Sequence, residues 1–146
     1  MKAPSCFSTE KSVAPKPLAG FHILILEDEY LIAMDVEQLC LDHGAEEAIL
    51  VHELDGIEQA VAERHFDVAV IDLVLNGRST LDFARKLRQR NVPFVFATGY
   101  NDVDDRFAEF SGIPVVGKPY SAETLIGAIS EAIGRSDTQA TLEPNT

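Results

Sequence analysis

Four short stretches carry side chains that could do chemistry together. LEDEY (26–30) offers Glu27, Asp28 and Glu29 in a row, VIDLVLNG (70–77) offers Asp72, FATGY (96–100) offers Thr98, and VGKPY (116–120) offers Lys118 before Pro119. Each stretch leaves an apolar run and turns polar, as a buried strand does where it meets a loop. Glu27, Asp28 and Asp72, brought close, would repel one another unless something cationic sat among them. Lys118 supplies one positive charge, and hard carboxylate oxygens with room for water suit Mg²⁺ or Mn²⁺. A metal ion, a carboxylate, an ammonium and a hydroxyl are the parts needed to move a phosphoryl group onto a carboxylate. Asp72 would attack phosphorus, the metal and Lys118 would neutralise the phosphoryl oxygens, and Thr98 would donate a hydrogen bond to the product.

Taken singly, each residue has a plainer role. An acidic run at a helix start favours the helix dipole. Asp72 could be a turn residue, Lys118 a surface lysine and Thr98 a helix cap. Their joint placement carries the chemical reading, and that depends on the elements around them.

Short apolar runs recur along the chain: HILIL (22–26), AILV (48–51), VAVI (68–71), FVFA (94–97) and IPVV (113–116). They are nearly continuous, as strands buried on both faces should be. Helical spacing fills the gaps, at Ile32, Val36 and Leu39, at Ile57 and Val61, at Phe83 and Leu87, at Val103, Phe107 and Phe110, and at Ile126, Ile129 and Ile133. Asp55, Ser79 and Ser121 are candidate N-caps, and Gly44 and Gly134 candidate C-terminal stops. Strands alternating with helices imply a parallel sheet covered on both faces. The expectation is an α/β fold, a flavodoxin-like (βα)5 doubly wound sheet of strand order 2-1-3-4-5. In such a sheet, sites form beyond the carboxyl ends of the strands, and the ends of strands 1, 3, 4 and 5 should converge on one patch.

The chain has 146 residues, which suggests one domain able to bury a full core. Residues 1–20 read as a flexible leader, 21–134 as the folded domain and 135–146 as a polar tail. The net charge is −12, from 24 acidic and 12 basic residues, so a phosphate backbone would be repelled and nucleic acid is not an expected partner. Cys6 and Cys40 form no motif, which fits a reducing compartment. No apolar run approaches membrane length and no signal peptide precedes the domain, so a cytoplasmic protein is expected.

At these residues the chain resembles the receiver domains of bacterial two-component response regulators, over about residues 21–134. The resemblance implies that Asp72 is the phosphoacceptor and that Glu27 and Asp28 are the acidic pair, Asp28 being the direct metal ligand. It also assigns Thr98 and Lys118 to the conserved hydroxyl and lysine. The third metal contact would be the backbone carbonyl of Val74. It implies phosphoryl transfer from a sensor histidine kinase or a histidine phosphotransfer protein, with the receiver catalysing only its own phosphorylation and dephosphorylation. PFVFATGY (93–100) is similar to the PFxFATGY signature of the FAT GUY response regulators, single receivers associated with general stress signalling. With only a short tail after the last helix, no DNA-binding output domain is expected.

One position departs from the family. Receivers commonly carry a switching aromatic three residues before the lysine, where this chain has Val115. Tyr100 offers a substitute, with Gly99 relieving the backbone between it and Thr98. Thr98, Gly99 and Tyr100 would then form the switch that re-presents the face of helix 4, strand 5 and helix 5 to a downstream protein. The positions flanking the phosphoryl group are Val74 and Tyr100, neither a good base, so slow self-dephosphorylation is expected.

Other readings compete. A flavin-binding protein of the same fold would need a Ser/Thr/Gly-rich phosphate loop after strand 1, where this chain has acids. A phosphatase with a nucleophilic aspartate would want a second acid two residues on, where this chain has Val74. Within the receiver reading, a phosphoryl sink or shuttle, or a receiver that binds partners without phosphorylation, remain alternatives to a switch.

Overall fold

A computed structural model describes residues 16–99, 105–110, 112–118 and 120–142. Five parallel strands form the sheet: β1 (His22–Leu26), β2 (Glu47–Val51), β3 (Val68–Asp72), β4 (Phe94–Thr98) and β5 (Val115–Gly117). Their spatial order is β2-β1-β3-β4-β5, the doubly wound order expected from the sequence. The helices are α1 (Tyr30–Asp42), α2 (Ile57–Glu63), α3 (Leu81–Gln89), the 3₁₀ segment η1 (Asp105–Phe110) and α4 (Ala122–Leu142).

Side-chain alternation along the strands divides the interior into two layers. Ile23 and Ile25 of β1 join Val68 and Val70 of β3 beneath α1 and α4, with Val36, Cys40, Leu125 and Ile129. Leu24 and Leu26 face the other way with Ala69 and Ile71, beneath α2, α3 and η1. Phe94, Phe96 and Phe110 pack edge to face in that second layer, with ring centroids 5.3–6.0 Å apart. Burying each such side chain contributes about 1.5–3 kcal/mol.

Several local expectations are corrected. The last strand starts at Val115 rather than Ile113, because Pro114 has no N–H for the ladder; its carbonyl still accepts from Phe96 at 3.0 Å. The cap of α2 is Gly56, left-handed at φ 82°, and not Asp55, whose carboxylate instead meets Arg78 at 3.4 Å. Thr80 takes the cap position of α3 expected for Ser79, although Ser79 Oγ still accepts from the Leu81 N–H at 3.2 Å. Ser121 caps α4 through the Thr124 N–H, and Gly44 follows the end of α1 at φ 104°.

The expected stop at Gly134 is not one. A glycine ends a helix by turning left-handed; Gly134 does not take a positive φ, and α4 runs on to Leu142, through much of the expected tail. At the other end, the expected leader is partly built into the domain. Leu18 is fully buried in the α1/α4 layer, and the Leu18 and Gly20 N–H groups donate to the carbonyls of His43 and Gly44. The fourth helix is described only as η1, held to α3 by Glu109, which receives Arg85 at 2.7 and 2.9 Å and Arg88 at 3.0 Å. Val103 lies outside the described residues, as does the Phe107 side chain.

Candidate functional site

Sheet register decides what meets at the carboxyl edge. Leu26 pairs with Ile71, so Glu27 and Asp28 emerge beside Asp72. Asp72 pairs with Ala97 and Thr98 with Gly117, so Thr98 and Lys118 arrive from the other side. The Lys118 N–H donates to the Thr98 carbonyl at 2.9 Å, carrying the ladder past the end of β5.

Glu27 and Asp72 are almost fully buried, and Asp28 is half-buried. Each of the three offers a carboxylate oxygen lying within 4.8 Å of the others. Lys118 Nζ sits 2.9 Å from Glu27 Oε1 and 2.9 Å from Asp72 Oδ1. Neither Asp72 oxygen has an aligned hydrogen bond among the described residues, so the Lys118 contact is a close approach without that geometry. A buried carboxylate without an aligned hydrogen bond, beside two others, is what a hard divalent cation would complete, so the donor set fits Mg²⁺ or Mn²⁺.

Burial is the main force on Asp72. It pushes the carboxyl up to about 8, with the Glu27 charge adding to it and Lys118 opposing it. Burial works against the Lys118 charge, but the Asp72 and Glu27 carboxylates outweigh it and hold the ammonium above the usual lysine range. Half-buried Tyr120 follows closely, and burial, then the Glu27 charge, push its phenol up.

Thr98 is buried, and its hydroxyl donates to the Gly99 carbonyl at 2.9 Å rather than to Asp72. Val74 lies two residues past Asp72 in a two-rung hairpin, Val74–Leu75 against Arg78–Ser79. Tyr100 lies outside the described residues.

Three residues at the site escaped the sequence reading. Thr80 is fully buried, and its hydroxyl donates to the Asp72 carbonyl, with the Leu73 carbonyl 3.1 Å away. It thereby fixes the backbone from which Asp72 projects. The Asn76 N–H donates to Asp28 Oδ2 at 2.8 Å. The His52 ring N–H lies 3.1 Å from the Glu27 carbonyl. A signal for Asn76 was present: an Asn-Gly pair marks a two-residue hairpin turn. Thr80 and His52 had none, because their roles depend on contacts across loops.

A cleft of about 260 Å³ between α2 and α3, lined by Glu58, Val61, Phe83 and Lys86 among others, lies apart from this cluster. It gathers no set of convergent ligands.

A family model described as response regulator receiver domain matches residues 23–130. The chain is 31% identical over 119 residues to the transcriptional regulatory protein PdtaR of Mycobacterium tuberculosis, covering 77% of this chain and 57% of that protein. The solution structure of SdrG from Sphingomonas melonis Fr1 matches with a TM-score of 0.64 at 34% identity, covering 80% of this chain and 98% of that one. The structure of the PhyR stress response regulator matches with a TM-score of 0.59 at 27% identity, covering 78% and 45%. The chain spans about half the length of the curated relatives it matches.

Proposed function

The chain belongs to the response regulator receiver family, and on that premise we propose that it accepts a phosphoryl group on Asp72 and signals by protein–protein interaction. The observation that carries this reading is Asp72 itself: buried, without an aligned hydrogen-bond partner, and flanked by Glu27, Asp28 and Lys118. The donor would be a phosphohistidine on a sensor kinase or phosphotransfer protein. An Asp72 oxygen forms the new O–P bond as the donor's P–N bond breaks, and the imidazole nitrogen keeps the electron pair.

Glu27, Asp28 and Asp72, with the Val74 carbonyl, would hold the metal. Bound there, Mg²⁺ or Mn²⁺ supplies positive charge that favours ionised Asp72 and offsets the phosphoryl oxygens. Lys118 bridges Glu27 and Asp72, which supports a role for its ammonium in neutralising a phosphoryl oxygen. Thr98 would exchange its bond to the Gly99 carbonyl for one to the phosphoryl group.

That exchange is the proposed trigger. With Val115, 40% exposed, at the position of the usual aromatic, the Thr98 movement would pass through Gly99 to Tyr100. The face of η1, β5 and α4 would then change towards a partner protein. Tyr100→Phe and Tyr100→Ala should weaken the phosphate dependence of partner binding; unchanged dependence in both rules out this coupling. PFVFATGY supports placement among the FAT GUY receivers, and the likeness to the PhyR stress response regulator supports a role in stress signalling. Phosphate-dependent affinity for a partner would separate this switch from a phosphoryl sink.

The deciding experiment is intact mass after incubation with Mg²⁺ and acetyl phosphate, beside Asp72→Asn and wild type in EDTA. One added phosphoryl group, absent from both controls, is the expected result. No adduct from acetyl phosphate or from a phosphohistidine protein would overturn the reading. The aspartyl phosphate should last minutes or longer, since half-buried Val74 offers no base; a lifetime of seconds in saturating Mg²⁺ would contradict this.

A further inference from the structure

The hairpin after β3 turns at Asn76-Gly77, with φ of 52° and 79°, and Leu75 faces Arg78 across the turn. Asparagine and glycine are the residues that tolerate this left-handed pair. In a two-residue turn the first central N–H is not used by the ladder. Here it donates to Asp28 Oδ2 at 2.8 Å, while Asn76 Nδ2 donates to the His52 carbonyl at 2.8 Å. The His52 ring in turn reaches the Glu27 carbonyl at 3.1 Å. These bonds join the hairpin tip, the end of β2 and the acidic pair after β1 into one closed circuit.

We propose that Asn76 is a positioning residue for the metal centre, latching the hairpin to Asp28 and to the His52 backbone so that the carboxylates are set before an ion arrives. The inference rests on reading Glu27, Asp28 and Asp72 as that centre. With one oxygen held, the Asp28 carboxylate loses rotational freedom that ion binding would otherwise have to remove. The same latch fixes the hairpin that carries Val74 against Asp28, so two segments distant in sequence keep one spacing. Asn76 supplies all three requirements: a left-handed backbone, a spare N–H and a side-chain donor.

The test uses the full chain and Mn²⁺, with its dissociation constant read by electron paramagnetic resonance and the metal-free melting temperature measured alongside. Asn76→Gly keeps the backbone conformation and the N–H but removes the tie to His52. Asn91→Gly is the control: Asn91 is also left-handed, at φ 62°, but precedes β4 at the opposite end of the sheet. The expected result is Mn²⁺ binding weakened about three- to tenfold in Asn76→Gly, unchanged in Asn91→Gly, with similar melting temperatures for the two variants. Wild-type affinity in Asn76→Gly would overturn the latch, whatever its melting temperature. Equal weakening in both variants would overturn it too, by showing a general stability effect. No Mn²⁺ binding by wild type would instead overturn the metal-centre reading beneath it.

Discussion

At Asp72, burial acts against ionisation and Glu27 adds to it, so the metal-free carboxyl is pushed up to about 8 from 3.8. Between those values the folded state holds a proton that the unfolded chain has released. The resulting stabilisation is complete below the unfolded pKa and is lost as pH rises through about 8. In EDTA, Asp72→Asn should therefore gain on wild type as pH rises towards about 8. Melting curves across that range check this, and a constant gap would refute the raised pKa. Thr80 gives a second prediction at this scale. Thr80→Val leaves the buried Asp72 carbonyl without its hydroxyl donor and should lower stability in urea by about 1–3 kcal/mol. Thr80→Ser, which keeps the donor, should lose less.

Elements differ in how far local sequence controls them. Apart from His22 and Asp72 at their ends, β1 and β3 are apolar because both faces are covered, so their existence and type were legible. Boundaries were less so. Asp55 was drawn away to Arg78, and Gly134 stayed helical, since a glycine permits a left-handed turn without imposing one. The Val103, Phe107, Phe110 spacing suggested an α-helix, yet the described residues form η1, placed by Phe110 in the aromatic cluster and by the arginine clasp on Glu109. Glu109→Gln should loosen that clasp. Hydrogen exchange across 105–110 should quicken with little change in melting temperature, because the pairs are exposed. Unchanged exchange would show that Phe110 alone holds the segment.

Across the whole molecule, the sheet edge and the α1/α4 layer are made by long-range contacts. Leu18 shows this most clearly: it sits in a stretch of Pro, Lys and Ala that looked like a leader, yet it is fully buried. Leu18→Ala should cost about 2–5 kcal/mol in urea unfolding, like other large-to-small core changes. A cost near zero would mean that the segment merely lies against the domain. No helix among the described residues is long and apolar enough to cross a membrane.

Fold class and strand order were readable from residue types and their spacing, and the same reading singled out Glu27, Asp28, Asp72, Thr98 and Lys118 as candidates. Apolar periodicity and chemical type are local properties, and the doubly wound order sends those strand ends to one edge. What needed the packed chain was the approach of Lys118 to two carboxylates and the hydrogen bonds from Thr80, Asn76 and His52 to Asp72, Asp28 and Glu27. Those facts depend on distances between loops far apart in the chain, and only the packed sheet sets such distances.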